Sequence, residues 1–340
     1  MVTGEGTEKR SIQRSAHRGR LSGTAIAVIL IVVLAAIGAA AYLALRRDRE
    51  IVRVDGSSTV YPITSAWAAG FNSPDRQVVV AFSGTGGGFA KFCRGETDLS
   101  DASRPIKDSE AATCAQNGIT GIAEFHVAYD GLSVVVPVGN TWAQSLTVRE
   151  LCRIWTSNTS ADACGAAGPR VTRWSELNAS WPDQEIKLFG PGTDSGTYDY
   201  FIETVLDPFE TDITADFFAS EDDNVLVQGI ANEPHSLGYF GYAYVVENLD
   251  KVRPLAIDDE DDGNGAGPIA PAEATIKAGT YAPLSRPLFV YASADSLGRP
   301  IVRDFLRFGY SAGGQELVAE TGYVGLTPSE IAAQVAKVPT

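Results

Sequence analysis

The 340-residue chain carries 27 Lys/Arg against 42 Asp/Glu, a formal net charge of −15, with 44% hydrophobic residues. Its first 50 residues hold eight of the bases and four of the acids, so 19 bases face 38 acids in the rest. That acidity argues against a nucleic-acid-binding surface, and it requires any anion site to work through short-range donors.

Gly23–Leu45 is a run of 23 residues without a charge, long enough to span a bilayer. Lys9, Arg10, Arg14, Arg18 and Arg20 precede it, and Arg46, Arg47, Arg49 and Arg53 follow, so charge alone orients it weakly. It reads as an uncleaved anchor with residues 1–22 as a cytoplasmic basic segment, because secretory apolar cores run only about 7–15 residues. A long signal peptide cut near Ala39-Ala40-Ala41 is the alternative. No cysteine follows the run at the position of a lipid anchor. Either way the chain beyond the run is expected outside the cytoplasm, and with the anchor retained the expected place is the cell membrane, single-pass.

Ile51–Val54 and Val78–Phe82 read as short buried strands. Between them Val60, Ile63, Trp67 and Phe71 fall near helical spacing, with Pro62 in the first turn. Each strand hands over to small residues: Gly56-Ser57-Ser58-Thr59, then Ser83-Gly84-Thr85-Gly86-Gly87-Gly88. Hydroxyls and backbone N–H groups at a helix start can hold a compact oxyanion without lysines. Ser and Thr there are also ordinary N-caps, but three consecutive glycines let backbone approach a ligand closely. The second cluster has neither the spacing of a dinucleotide fingerprint nor the Gly-Lys-Ser/Thr of a Walker loop.

The four cysteines fall into two local pairs, Cys93 with Cys114 and Cys152 with Cys164. An even count beyond an export segment fits two short-loop disulfides in an oxidising compartment. Four unpaired core thiols are the other reading, and close Cys-x-x-Cys zinc spacing is absent. Inside the first pair, Ser103 and Arg104 stand in a loop before Pro105. A guanidinium fork matches phosphate geometry, although a surface arginine paired with Asp101 or Asp108 fits the composition equally.

Leu132–Val136, Ile186–Phe189 and Pro287–Tyr291 are further strand signals. The third cluster, Gly192-Thr193-Asp194-Ser195-Gly196-Thr197, opens a helix marked by Tyr198, Phe201, Ile202 and Val205. Ile301, Phe305 and Phe308 mark another helix. Strands alternating with helices predict α/β architecture with largely parallel sheets. Clusters spread along the chain fit two lobes around a cleft, residues 51–136 and 240–340 forming lobe 1 and 137–239 lobe 2. Pro137-Val138-Gly139 and Gly238–Gly241 would be the crossovers, and Asp258–Gly267 a solvated acidic loop. Hydrolase chemistry is not expected: the Gly-x-Ser-x-Gly elbow is unmet at Ser195, and His126 and His235 lack a triad context. The metal-ligand clusters of a phosphohydrolase are missing too. No catalytic residue, metal or cofactor is therefore expected.

Four ordered motifs carry a resemblance: Gly56-Ser-Ser-Thr-Val-Tyr-Pro62, Ser83-Gly-Thr-Gly-Gly-Gly-Phe89, Ala102-Ser-Arg-Pro-Ile106 and Phe189-Gly-Pro-Gly-Thr-Asp-Ser-Gly-Thr197. Ala128-Tyr-Asp-Gly131, Ser220-Glu-Asp-Asp-Asn224 and Leu237-Gly-Tyr-Phe-Gly-Tyr242 add to it. From about Val52 onward the chain resembles the PstS-type phosphate-binding proteins, substrate receptors of the phosphate ABC transporter. The resemblance implies a type II periplasmic-binding-protein fold that closes two α/β lobes around inorganic phosphate and delivers it to ABC permease subunits, as a monomer. By motif, Ser58, Thr59, Thr85, Ser103, Arg104, Ser195, Gly196 and Thr197 are the implied contacts, followed by Ser83, Gly86 and Asp194.

Two departures stand out. Pro191 lies where some family members have an Arg, and Ser103 where they carry an Asp. A carboxylate that accepts the phosphate proton is what rejects fully ionised sulfate, and Asp194, Asp101 and Asp55 are the candidate substitutes. The alternatives are a phosphate sensor or adhesin of the same fold, or a receptor for another tetrahedral oxyanion.

Overall fold

The computed structural model describes residues 32, 34–35, 49–165, 168–261, 263 and 267–340. The basic segment 1–22 lies outside them, as does the apolar run Gly23–Leu45 except for Val32, Leu34 and Ala35. Among the described residues no helix is long and apolar enough to cross a membrane. Arg49–Thr340 forms one compact unit.

Its strands are β1 (Glu50–Gly56), β2 (Arg76–Val80), β3 (Leu99–Ala102), β4 (Ala123–Pro137), β5 (Ser145–Thr147), β6 (Lys187–Gly190), β7 (Phe218–Ala219), β8 (Ser236–Gly241), β9 (Val252–Pro254), β10 (Ala256–Asp258) and β11 (Ser285–Ala292). The α-helices run α1 (Tyr61–Phe71), α2 (Gly84–Phe92), α3 (Asp108–Gln116), α4 (Val148–Trp155), α5 (Gly196–Phe201), α6 (Asp223–Asn232), α7 (Tyr242–Glu247), α8 (Glu273–Lys277), α9 (Ala294–Gly298), α10 (Pro300–Gly309), α11 (Ala312–Glu320) and α12 (Pro328–Val335). The expected strands and helices lie within these elements or overlap them. β2 ends two residues early, leaving Phe82 exposed against Tyr61.

One sheet runs β2-β1-β3-β11-β4-β8-β6-β7, with β9 also on β4. β1 is parallel to β2 and β3, and β6 to β7 and β8. β4 and β11 run antiparallel to their neighbours, so the sheet is mixed rather than largely parallel. The 15-residue β4 explains the two lobes. It pairs with β11 as far as Gly131, then with β8 and β9 from Leu132 onward. The chain returns at Leu284, whose carbonyl accepts the Leu132 N–H, and enters β11 at Ser285.

The division is therefore drawn differently from the expected 137 and 240. β8, β9 and the elements up to α8 belong with lobe 2, and Gly238–Gly241 is a buried inner strand of that lobe rather than a crossover. Glycine in a strand mimics a hinge in sequence, although here Gly238 lets the Phe189 backbone and Ile230 approach closely.

Each lobe has its own core. In lobe 1, Val52, Val54, Trp67, Phe71 and Phe305 are buried together, with the Trp67 indole donating to the Gly314 carbonyl at 3.0 Å. In lobe 2, Trp155, Phe201 and Tyr239 form the centre, the last two stacked at 4.0 Å. Both expected disulfides are present. Cys93–Cys114 ties α2 to α3, and Cys152–Cys164 ties α4 to the following loop.

Candidate ligand-binding site

β1 ends at Gly56, and the Ser57 N–H donates to the Asp101 carbonyl on the neighbouring β3 at 2.9 Å. This turns the chain over the sheet's end, leaving Ser58 and Thr59 ahead of α1. The second cluster opens α2 from Gly84, whose φ of +75° suits glycine. The Thr85 hydroxyl lies 3.0 Å from the Ser103 hydroxyl and accepts the Ser103 N–H at 3.2 Å, joining the second and third loops.

These loops line one cleft of about 200 Å³, bounded by Ser58, Thr59, Thr85, Gly86, Ser103 and Arg104 on the lobe 1 side. Asp199, Glu203 and Arg286 complete the wall. A larger depression of about 300 Å³ lies at the outer edge of lobe 2, but Glu185, Asp216 and Glu233 line it against one lysine. Such a surface repels an anion.

The lobes meet across the cleft. Ser58 Oγ donates to Asp199 at 2.7 Å, and Thr59 Oγ1 donates to the Gly196 carbonyl at 3.3 Å. Ser195 accepts the Thr197 N–H at 3.2 Å and so caps α5. Ser195 and Thr197 stand behind the contact and do not line the cleft. Ser83 turns away to donate to Asp55 at 2.5 Å. Asp194 is exposed on the loop before α5, its N–H held by Glu221.

None of the three candidate proton acceptors reaches the cleft. Asp55 is bound by Lys91 at 2.6 Å as well as by Ser83. Asp101 is fully buried against Thr64, 2.6 Å away. The carboxylates that do line it are Asp199 and Glu203, four residues apart on α5 and the π-helical turn Ile202–Leu206 that continues it.

Two arginines serve the cleft. Arg104 forks onto Glu110 at 2.8 and 2.9 Å, so its partner is neither Asp101 nor Asp108. Burial would raise the Glu110 carboxyl, but the hydrogen bonds from Arg104 and the Lys107 N–H outweigh it and hold the group below its ordinary range. Arg286 opens β11 opposite Asp130. It donates to Thr59 Oγ1 at 2.9 Å, to Glu203 at 2.7 Å and to Asp130 at 3.4 Å, and lies 3.5 Å over the Tyr200 ring. The sequence reading overlooks Arg286, Asp199 and Glu203. Arg286 stands one residue before the apolar run taken as a strand, and the two acids sit on what reads as the polar face of a helix.

The chain has clear relatives. Residues 36–312 match the PBP superfamily domain. Protein SphX of Synechocystis sp. is 41% identical over 280 residues, 82% of this chain and 79% of SphX. The phosphate-binding protein PstS of Staphylococcus haemolyticus is 38% identical over 275 residues, 79% of each chain. Among solved structures, a possible phosphate binding protein from Planctomyces limnophilus aligns at a TM-score of 0.76 and 42% identity, covering 86% of this chain and 99% of that one.

Proposed function

We propose, for a chain that belongs to the PBP superfamily and within it to the family of the PstS and SphX proteins, that it is an extracytoplasmic phosphate receptor. It captures inorganic phosphate between its lobes and delivers it to ABC permease subunits, acting as a binding protein and not as an enzyme. The observation that carries this reading is the convergence of three hydroxyl-bearing loops of lobe 1, two of them with glycine, on one small cleft that the α5 start of lobe 2 faces.

Ser58, Thr59, Thr85, Gly86, Ser103 and Arg104 supply the donors of lobe 1. Ser195, Gly196 and Thr197 shape the helix start that closes on them. The two crossings beside Gly131 and Leu284 form the hinge, and a ligand touching both lobes favours the closed form by its differential affinity. Gly23–Leu45 tethers the receptor to the membrane, and the two disulfides suit that compartment.

Calorimetric titration with phosphate and with sulfate, each at two pH values, tests the reading. Phosphate binding that outcompetes sulfate supports it. Equal binding makes the protein a general receptor for tetrahedral oxyanions, and no binding of either removes the assignment.

A further inference from the structure

We propose that Arg286 is the cation on which the bound oxyanion rests, and that Glu203 holds its place there until the ligand replaces it. The inference rests on the reading of the cleft as a phosphate site. Arg286 is a cleft residue placed where the lobes join, facing Asp130 one residue before β4 changes partners at Gly131 and Leu132. Its guanidinium is braced by the Tyr200 ring, a cation–π contact, and by Thr59 of the first anion loop. Those contacts fix its plane without neutralising it.

Two carboxylates could neutralise it. Asp130 sits at 3.4 Å with a side chain only 3% exposed. Burial pushes its carboxyl up and Arg286 pulls it back, so Asp130 is a reluctant anion. The close partner, at 2.7 Å, is Glu203, whose side chain is 51% exposed and belongs to lobe 2. An ion pair with so exposed a member is weak and easily exchanged. The three hydrogen bonds of Arg286 use one N–H on each of its nitrogens. A guanidinium has five, so two are left without a partner among the described residues.

Arg104 is less available. Both prongs of its fork are taken by Glu110, whose side chain is 19% exposed, and Nη1 also serves the Pro105 carbonyl. Turning Arg104 toward a ligand would strand a half-buried carboxylate. Turning Glu203 away from Arg286 releases it into water. A bound oxyanion and the Glu203 carboxylate carry charge of the same sign and repel one another across Arg286, so binding favours release of the more exposed Glu203. The exchange therefore transfers the contact between lobes from Glu203 to the ligand.

The test titrates the full-length chain with inorganic phosphate at low ionic strength, unaltered and as Glu203→Gln, Arg286→Lys and Arg286→Ala, with circular dichroism as the folding check. Glu203→Gln is expected to bind phosphate several-fold more tightly than the unaltered chain. Arg286→Ala should weaken binding about ten- to a hundredfold, with Arg286→Lys between. Glu203→Gln binding no tighter than the unaltered chain, or folded Arg286→Ala binding as tightly, overturns the proposal alone. If Arg286→Ala does not fold, Glu203→Gln decides the matter, because its exposed side chain supports no core. Absence of phosphate binding by the unaltered chain overturns the receptor reading and this inference with it.

Discussion

Ser58 in lobe 1 donates its hydroxyl hydrogen to Asp199 in lobe 2 across 2.7 Å of the cleft. That contact puts a carboxylate acceptor beside the loops of lobe 1 that line the cleft, on α5 and not at Asp55, Asp101 or Asp194. Facing hydrogen phosphate, a carboxylate accepts the ligand's proton. Facing sulfate it meets only lone pairs. Asp199→Asn can turn an amide donor to the ligand instead, so it should raise sulfate affinity and narrow discrimination by roughly tenfold or more. Competition titration of the two anions reads this ratio, and an unchanged ratio removes Asp199 from the selectivity mechanism.

At Gly196 the backbone of lobe 2 comes close to the backbone of lobe 1. A Cβ there would lie 2.6 Å from the Thr59 Cα and 2.8 Å from its nitrogen, both backbone atoms. Overpacking of this kind costs about 1–3 kcal/mol, and here the cost falls on the closed form alone. Gly196→Ala should thus weaken phosphate binding by about five- to a hundredfold while leaving the melting temperature of the ligand-free protein nearly unchanged. A variant that binds normally would show that closure does not bring α5 onto Thr59.

The elements were readable because their causes are local. Trp67 and Phe71 repeat on one face of α1, and the β-branched run of β1 precedes a Gly-Ser turn. The first-lobe loops were readable for the same reason, since Ser58, Thr85 and Ser103 each follow a strand. What was hidden depends on distant pairing. Leu132–Val136 looks like a separate strand, and nothing local shows that β4 begins at Ala123 and serves both lobes. Arg286 reaches the cleft because β11 lies beside β4 in register with Asp130, across 156 residues of sequence.

Arg104 and Glu110 form a two-pronged ion pair with side chains 25% and 19% exposed. Removing one member leaves the other half-buried and unpaired. Arg104→Ala should therefore lower stability by about 1–3 kcal/mol and weaken phosphate binding less than Arg286→Ala does. Arg104→Ala combined with Glu110→Gln should recover much of the stability and none of the affinity. Urea unfolding and calorimetry on the same samples separate the two effects. Recovery of affinity in the double variant would mean that Arg104 acts only through Glu110.

Asp101 gives the protein a pH dependence that can be isolated. It is fully buried on β3, Thr64 donates to one of its carboxylate oxygens, and the other has no hydrogen-bond partner among the described residues. Burial pushes the carboxyl up to about 8 against the Thr64 hydrogen bond, with the charge of Asp55 adding to the rise. An unfolded Asp titrates near 3.8. Between about pH 4 and 8 the folded chain therefore holds a proton that the unfolded chain has lost. Stability should fall as pH rises through that window, by up to ~1.4 kcal/mol per pH unit from this group. Asp101→Asn keeps an acceptor for Thr64 and removes the titration, so the difference between the two unfolding profiles, measured in urea from pH 5 to 8, should carry that slope. Parallel profiles would show that Asp101 is ionised in the folded protein. A neutral Asp101 also matters for the proposed site, because its backbone carbonyl anchors Ser57 and a fixed negative charge beneath that loop would oppose an anionic ligand.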